Sequence, residues 1–311
     1  MGERSLNAAW SDRILTSVSR VRSGAQSPRR KRAVLILSSV GFAVVSVLAF
    51  RSMGDQLRAA NWTLVLIASG VGAMLSQFLN SLEFREIGRA SGADFSVIES
   101  VRTSLIGSAA NLLPIPGSVI VRLRAISTGG SSLRKGAAAS AGVGAYFVGV
   151  TLLVAGLVSV FSNLWFSAIT AFVGALAIAS AFSILQRVGV TSRALHVRVV
   201  AIELFLVVIG GLRITLVLTG LGFDISLTQG VGLTVAGAIT TAVGFFPGGL
   251  GLREGLVAAI SPLVGISAAA GLAGAVIDRV VRMALLSIGG VVLSFNGGHK
   301  VREHIGGPDE R

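Results

Sequence analysis

Cysteine is absent from this 311-residue sequence, which excludes disulfide frameworks, thiolate metal sites and cysteine nucleophiles together. Histidine is nearly absent: His196, His299 and His304 all fall in polar connecting or terminal stretches, so no metal centre is expected. Charge is scarce as well. Only 13% of residues are Asp, Glu, Lys or Arg, while 52% are hydrophobic and the mean hydropathy is +0.80. A water-soluble protein of this size needs far more charged surface, so lipid must be the solvent for most of the chain. The sequence contains no G-x4-G-K-[ST] loop. No carboxylate pair, histidine cluster or serine motif sits on an apolar stretch with catalytic spacing. The expectation is a membrane protein that is neither an ATP-driven pump nor an enzyme, with no cofactor.

Two residue classes are abundant. The 40 glycines suit membrane helices that approach one another closely. Lys and Arg outnumber Asp and Glu by 27 − 14 = 13. In a soluble chain that excess would suggest nucleic acid. Here the basic residues border apolar runs, so the expected partners are anionic lipid headgroups and no nucleic acid. The clearest case is the tail at 1–32, which carries eight Lys/Arg and ends in Arg29-Arg30-Lys31-Arg32. Its Leu6, Trp10, Ile14 and Val18 recur every four residues, a spacing that fits an amphipathic helix on the membrane surface. An unstructured tail with accidental spacing fits equally well. No small-x-small cleavage site follows an apolar stretch, so a signal peptide is not expected.

Apolar runs then organise the chain as an all-α polytopic protein. Residues 33–50, 62–82, 136–160, 165–186, 199–219 and 268–294 read as six spans, and 296–311 as a short second tail. The uncharged stretch 136–186 is too long for one helix, and its break belongs at Phe161-Ser162-Asn163-Leu164-Trp165. Two further apolar stretches, 95–121 and 227–265, are interrupted by Asn111-Leu-Leu-Pro-Ile-Pro-Gly117 and Phe245-Phe-Pro-Gly-Gly-Leu-Gly251. Proline and clustered glycine leave backbone groups unpaired, so each reads as a re-entrant hairpin built on Asn111, Pro114, Pro116 and Gly117 or on Pro247, Gly248, Gly249 and Gly251. Two extra spans per stretch are the competing account. With six spans and a cytoplasmic N-terminus, 21 of the 27 Lys/Arg lie inside and only Arg51 and Arg58 outside, as the positive-inside rule requires of a plasma-membrane protein with both termini cytoplasmic.

The broken stretches resemble one another. Pro116-Gly117 with Arg122 matches Pro247-Gly248 with Arg253 at an offset of 247 − 116 = 131. At the same offset Ala137-Ala-Ala-Ser-Ala-Gly142 lies over Ala268-Ala-Ala-Gly-Leu-Ala273, and Asp94-Phe95-Ser96 lies over Asp224-Ile225-Ser226 at an offset of 130. Halves 33–160 and 161–295 would each hold three spans and one hairpin, and three being odd, the second half would be inverted.

The two motifs, with Arg279 in the last span, resemble the transmembrane region of the lysylphosphatidylglycerol synthase/flippase family over roughly 33–295. The resemblance implies a flippase-like protein moving a charged phospholipid between leaflets, without the soluble synthase domain and its aminoacyl transfer. Many members carry Gly-Glu after the first proline, where this chain has Gly117-Ser118-Val119, so no role for that carboxylate is transferred. The alternative is a non-transporting subunit that scaffolds or regulates an envelope-lipid enzyme. A second copy or a lipid-modifying enzyme is the protein partner open to it.

Ionisable residues at membrane depth are costly and therefore candidates. Arg253 follows a glycine-rich break where a half-helix N-terminus would favour an anion, and Arg122 and Arg124 hold the matching place in the first half. Glu254 is read as capping that half-helix, pairing with Arg253 or receiving a cationic headgroup group. Arg279 is expected to face a cavity, clear of a structural Asp278–Arg282 pair four residues apart. Glu203, near a helix end, is expected to reach the interface, and Arg213 to find an acidic neighbour.

Overall fold

The computed structural model describes residues 54–110, 117–243 and 251–302, the last of these by backbone alone beyond 285, together with scattered helical positions between Ile36 and Arg51. The described residues are all-helical in their regular structure: α1 (Gly54–Ala59), α2 (Trp62–Ser91), α3 (Val97–Ala110), α4 (Gly117–Thr128), α5 (Leu133–Val158), α6 (Leu164–Arg187), α7 (Arg193–Gly220), α8 (Leu227–Leu233), α9 (Val235–Val243), α10 (Leu252–Ile260) and α11 (Ala268–Arg302). A 3-10 turn, Ser261–Val264, joins α10 to the last connection. Four of these helices, α2, α5, α6 and α7, are long and apolar enough to cross a membrane. The first expected span and the tail at 1–32 lie largely or wholly outside the described residues.

Helix limits follow local chemistry. Asn61 caps α2 by accepting from Leu64 N–H at 3.1 Å, and Asn163 caps α6 by accepting from Phe166 N–H at 3.0 Å. The interruption expected at 161–165 is therefore a five-residue turn ended by an N-cap. The chain leaves α2 through Gly92 and α7 through Gly222, at φ 91° and 87°, left-handed values that cost glycine little. Ser96 then caps α3 in a reciprocal pair with Glu99, and Ser226 caps α8 in a reciprocal pair with Gln229. At the exposed start of α3, the Ser96 backbone N–H and hydroxyl both donate to Glu99 and hold its carboxyl below the ordinary carboxylate range.

Two expectations shift. The second span was to stop at 82, where charge begins, yet α2 continues to Ser91 with Glu83 and Glu86 buried. Its charges are tolerated because partners reach them, as described below. The register of the alanine match also changes. Gly130 and Ser132 precede α5 as Gly265 and Ser267 precede α11, both pairs 135 residues apart (265 − 130 and 267 − 132), so the sequence offset of 131 does not hold there. The arms α3, α4, α8 with α9, and α10 flank 111–116 and 244–250, which are outside the described residues along with Asn111, Pro114, Pro116, Pro247, Gly248 and Gly249. The described parts of these arms hold 14, 12, 17 and 9 residues, against the roughly 20 typical of a span.

Packing is inside-out relative to a soluble protein. Ionisable Glu203, Glu254, Asp278, Arg213 and Arg279 are buried, whereas Phe161, Trp165, Ile67, Met74, Phe172 and Phe205 are exposed, a surface that only lipid solvates. Helices α2 and α7 form the central antiparallel pair. Asn61 N–H donates to Gly220 O at 2.7 Å at one end, and Arg198 pairs with Glu86 at 3.1 Å at the other. One apolar cluster (Val65, Leu218, Val235, Val264, Ala270) joins the pair to α9 and α11; a second (Phe84, Ile126, Val143, Leu185, Val199) joins it to α4, α5 and α6.

Candidate functional site

A cleft of about 400 Å³ opens between the central pair and the arms of the second broken stretch. Its wall is built from Ser76 and Asn80 on α2, Thr151 on α5, Arg213 on α7, Thr240 and Thr241 on α9, Arg253 on α10 and Arg282 on α11. The threonine hydroxyls of α9 donate to their own helix, Thr240 to Ala236 O at 2.6 Å and Thr241 to Gly237 O at 2.9 Å. Their lone pairs face outward as acceptors, so the strong donors in the cleft are the guanidiniums.

Those guanidiniums are unequally compensated. Arg213 lies 3.0 Å from Asp278 Oδ1, and Arg282 lies 3.2 Å from Asp278 Oδ2, so one carboxylate serves two cations. Arg213 also donates to Ser76 Oγ at 3.2 Å. Arg253 has no ion-pair or hydrogen-bond partner among the described residues, although it neighbours the same three charges. The cleft thus carries three positive charges against one negative, an excess of two. In a poorly hydrated site such an excess favours an oxyanion held by several guanidinium N–H groups at once.

The sequence candidates divide accordingly. Arg253 lines the cleft as expected. Arg279 does not: it pairs with Glu254 at 2.6 Å, with side-chain exposures of 7% and 0%. Arg282, three residues further on and expected to serve only in an ion pair with Asp278, makes that pair and also takes the cavity position. Glu254 makes its hydrogen bonds with partners other than Arg253, though it is near enough to act on that guanidinium electrostatically. One carboxylate oxygen accepts from Gly251 N–H at 2.9 Å and the other from Arg279, so it caps α10 and leaves its half-helix less free to bind an anion through backbone N–H groups. Gly251 itself takes φ 78° at this cap.

Arg122 occupies a different cluster. It is 3.8 Å from Glu83 Oε2 and its guanidinium stacks 5.7 Å from the Phe84 ring centre. Arg124 is exposed on the same helix, and Gly117 is the first residue of that helix. Arg122 and Arg124 are not among the residues lining the cleft. Glu203, expected at the interface, is wholly buried instead. Arg213 finds its expected acidic partner in Asp278. Sequence reading passed over Ser76 and Asn80, which lie on the cleft-facing side of α2 four residues apart. Polar residues at that spacing in an apolar run were the available signal. No group of three or more His, Cys, Asp or Glu that could hold a metal ion occurs among the described residues. Compared with known proteins, the chain matches no family model, no curated sequence and no solved structure, so function has to be argued from the site itself.

Proposed function

We propose that this chain is a flippase-like protein of the plasma membrane that moves a phospholipid with an anionic headgroup between leaflets. The observation that carries the reading is the cleft in which Arg213, Arg253 and Arg282 face a single Asp278. Phosphate has the charge and the planar pairs of oxygens that guanidinium forks match. The acyl chains would stay against the apolar exterior while the headgroup crosses past the broken segments. Arg122 and Arg124 belong to the other half and are not needed for this headgroup site.

The architecture in this reading is six spans and two re-entrant hairpins in an inverted repeat of three plus three. Matching caps support it. Gly92 and Gly222, and Ser96 and Ser226, are both 130 residues apart (222 − 92 and 226 − 96). The antiparallel packing of α2 on α7 is what inversion requires of equivalent helices. The resemblance to the lysylphosphatidylglycerol synthase/flippase transmembrane region agrees with a lipid substrate, and both termini would be cytoplasmic.

The test is leaflet exchange in proteoliposomes, using headgroup-labelled phosphatidylglycerol and phosphatidylcholine. Anionic lipid is expected to exchange faster than the zwitterionic one, and Arg253→Gln to abolish the difference. Equal, protein-independent exchange of both lipids would sink the reading and leave a non-transporting subunit.

A further inference from the structure

Glu203 is 0% exposed, and neither of its carboxylate oxygens has a hydrogen-bond partner among the described residues. It lies on α7 within the central helix pair, five residues on from Arg198. Its electrostatic neighbours are Glu83 on α2 and Arg122 on α4. Glu83 is itself 9% exposed and 3.8 Å from Arg122. Two buried carboxyls therefore share one cation.

Among the described residues no second cation lies within ion-pair distance of Glu83. On α2, Glu86 is already held by Arg89 at 2.5 Å and by Arg198 at 3.1 Å, so those two arginines are taken. On α7 itself, His196 is bonded to the Tyr146 hydroxyl of α5 at 2.9 Å. Helix α8 carries no titratable residue. The Asp278, Arg279 and Arg282 side chains of α11 meet α7 and α10 at Arg213 and Glu254, and Arg213 is ten residues along from Glu203, about 15 Å away.

A charged carboxylate that is dry, close to a second carboxylate and without a donor is among the most costly states a protein can hold. A proton removes the cost. We propose that Glu203, with Glu83 and Arg122, forms an intramembrane proton-binding site that loads and releases one proton. In the release step the Glu203 O–H bond breaks and the proton passes to the Glu83 carboxylate, directly or through water. Arg122 then stabilises the negative charge left behind, and the proton leaves Glu83 towards the end of the bundle where Arg89 and Arg198 are half-exposed. No electron moves.

The two halves would then have separate tasks. Glu83 and Arg213 occupy equivalent places on α2 and α7, 213 − 83 = 130 residues apart, and carry opposite charge. One half concentrates cations for a headgroup and the other concentrates acids for a proton. That second step rests on the transport reading above: proton movement through the acidic half would drive the anionic lipid, whose net charge a proton can offset.

Infrared spectroscopy of the full chain in phosphatidylcholine–phosphatidylglycerol vesicles tests the proton site without any transport assay. The wild type should show the carbonyl stretch of a protonated carboxyl that disappears as the pH is raised from acid to alkaline. Glu203→Gln should lack this band, and Arg122→Gln should keep it to higher pH because the cation favouring release is gone. The amide is a neutral mimic of the protonated acid, so Glu203→Gln should melt no earlier than wild type. If it does unfold, the wild-type titration alone decides. A band that never titrates, or that persists in the Glu203→Gln variant, overturns the proposal. In the same vesicles an imposed pH gradient should accelerate phosphatidylglycerol exchange by wild type and leave Glu203→Gln at its ungraded rate. Gradient-independent exchange by wild type would overturn the coupling. Absence of any exchange would remove the transport reading while the infrared result still decides the proton site.

Discussion

Asp278 and Arg253 face the same cleft, but their substitutions are expected to fail in opposite ways. Asp278 is 2% exposed and compensates both Arg213 and Arg282. Asp278→Asn leaves two guanidiniums without their counter-charge, and breaking a buried pair of this kind costs about 3–5 kcal/mol. The variant should melt well below wild type in detergent, with added anionic lipid recovering part of the loss. Arg253 has no ion-pair partner among the described residues, so Arg253→Gln should melt close to wild type. It should instead weaken retention of phosphatidylglycerol by about tenfold or more, the value of one or two charge-assisted hydrogen bonds. Arg253→Lys should recover the charge and not the two-pronged grip. Thermal shift and lipid retention measured together check both expectations. A destabilised Arg253→Gln variant with wild-type lipid retention would make Arg253 a structural ion.

Between elements, α5 and α6 approach closely through their backbones, and glycine makes this possible. A Cβ at Gly174 would meet the Leu153 backbone nitrogen at 2.5 Å and the Gly149 carbonyl at 2.8 Å, and one at Gly156 would meet Ala171 N at 2.7 Å. These obstacles are backbone, which cannot swing aside as a side chain can. Gly174→Val should therefore separate the helices or unfold the pair, at about 1–3 kcal/mol or more, read as a lower melting temperature and reduced yield of folded protein. Gly144, where a Cβ meets nothing within 4 Å, should accept Ala with no such loss. This contact also marks what sequence could and could not give. The turn at 159–163 was legible because Asn163 interrupts a long apolar run and caps the next helix. The end of α2 was not. Glu83 and Glu86 looked like the start of a loop because their compensating Arg122 and Arg198 come from helices far along the chain. Pairing is invisible to local pattern. For the same reason Arg279 and Arg282, three residues apart, exchanged roles: only the fold tells which one meets Glu254 and which one turns to the cleft.

At the scale of the molecule, the antiparallel α2–α7 pair makes the orientation of the whole bundle a single question. The start of α2 and the end of α7 lie together, joined by the Asn61–Gly220 hydrogen bond, and the end of α2 lies with the start of α7, joined by Arg198 and Glu86. Arginine is concentrated at the second end, with Arg85, Arg89, Arg187, Arg193 and Arg198 against Arg51 and Arg58 near the first. In the proposed topology the positive-inside rule would put the second end in the cytoplasm. Single cysteines can report this cleanly because the native chain has none. Ser162 and Asp224 are exposed at the first end, and Ser127 and Ser192 at the second. Ser226 is better left alone, since its hydroxyl caps α8. An impermeant maleimide should label Ser162→Cys and Asp224→Cys in intact cells, and label Ser127→Cys and Ser192→Cys only after lysis. The four sites test the first hairpin as well as the orientation. Ser127 follows the first broken stretch, so an odd number of crossings by that stretch would put it on the wrong side of its neighbours. Labelling of Ser192→Cys in intact cells would invert the bundle, and with it the direction from which the arginine cleft meets its lipid.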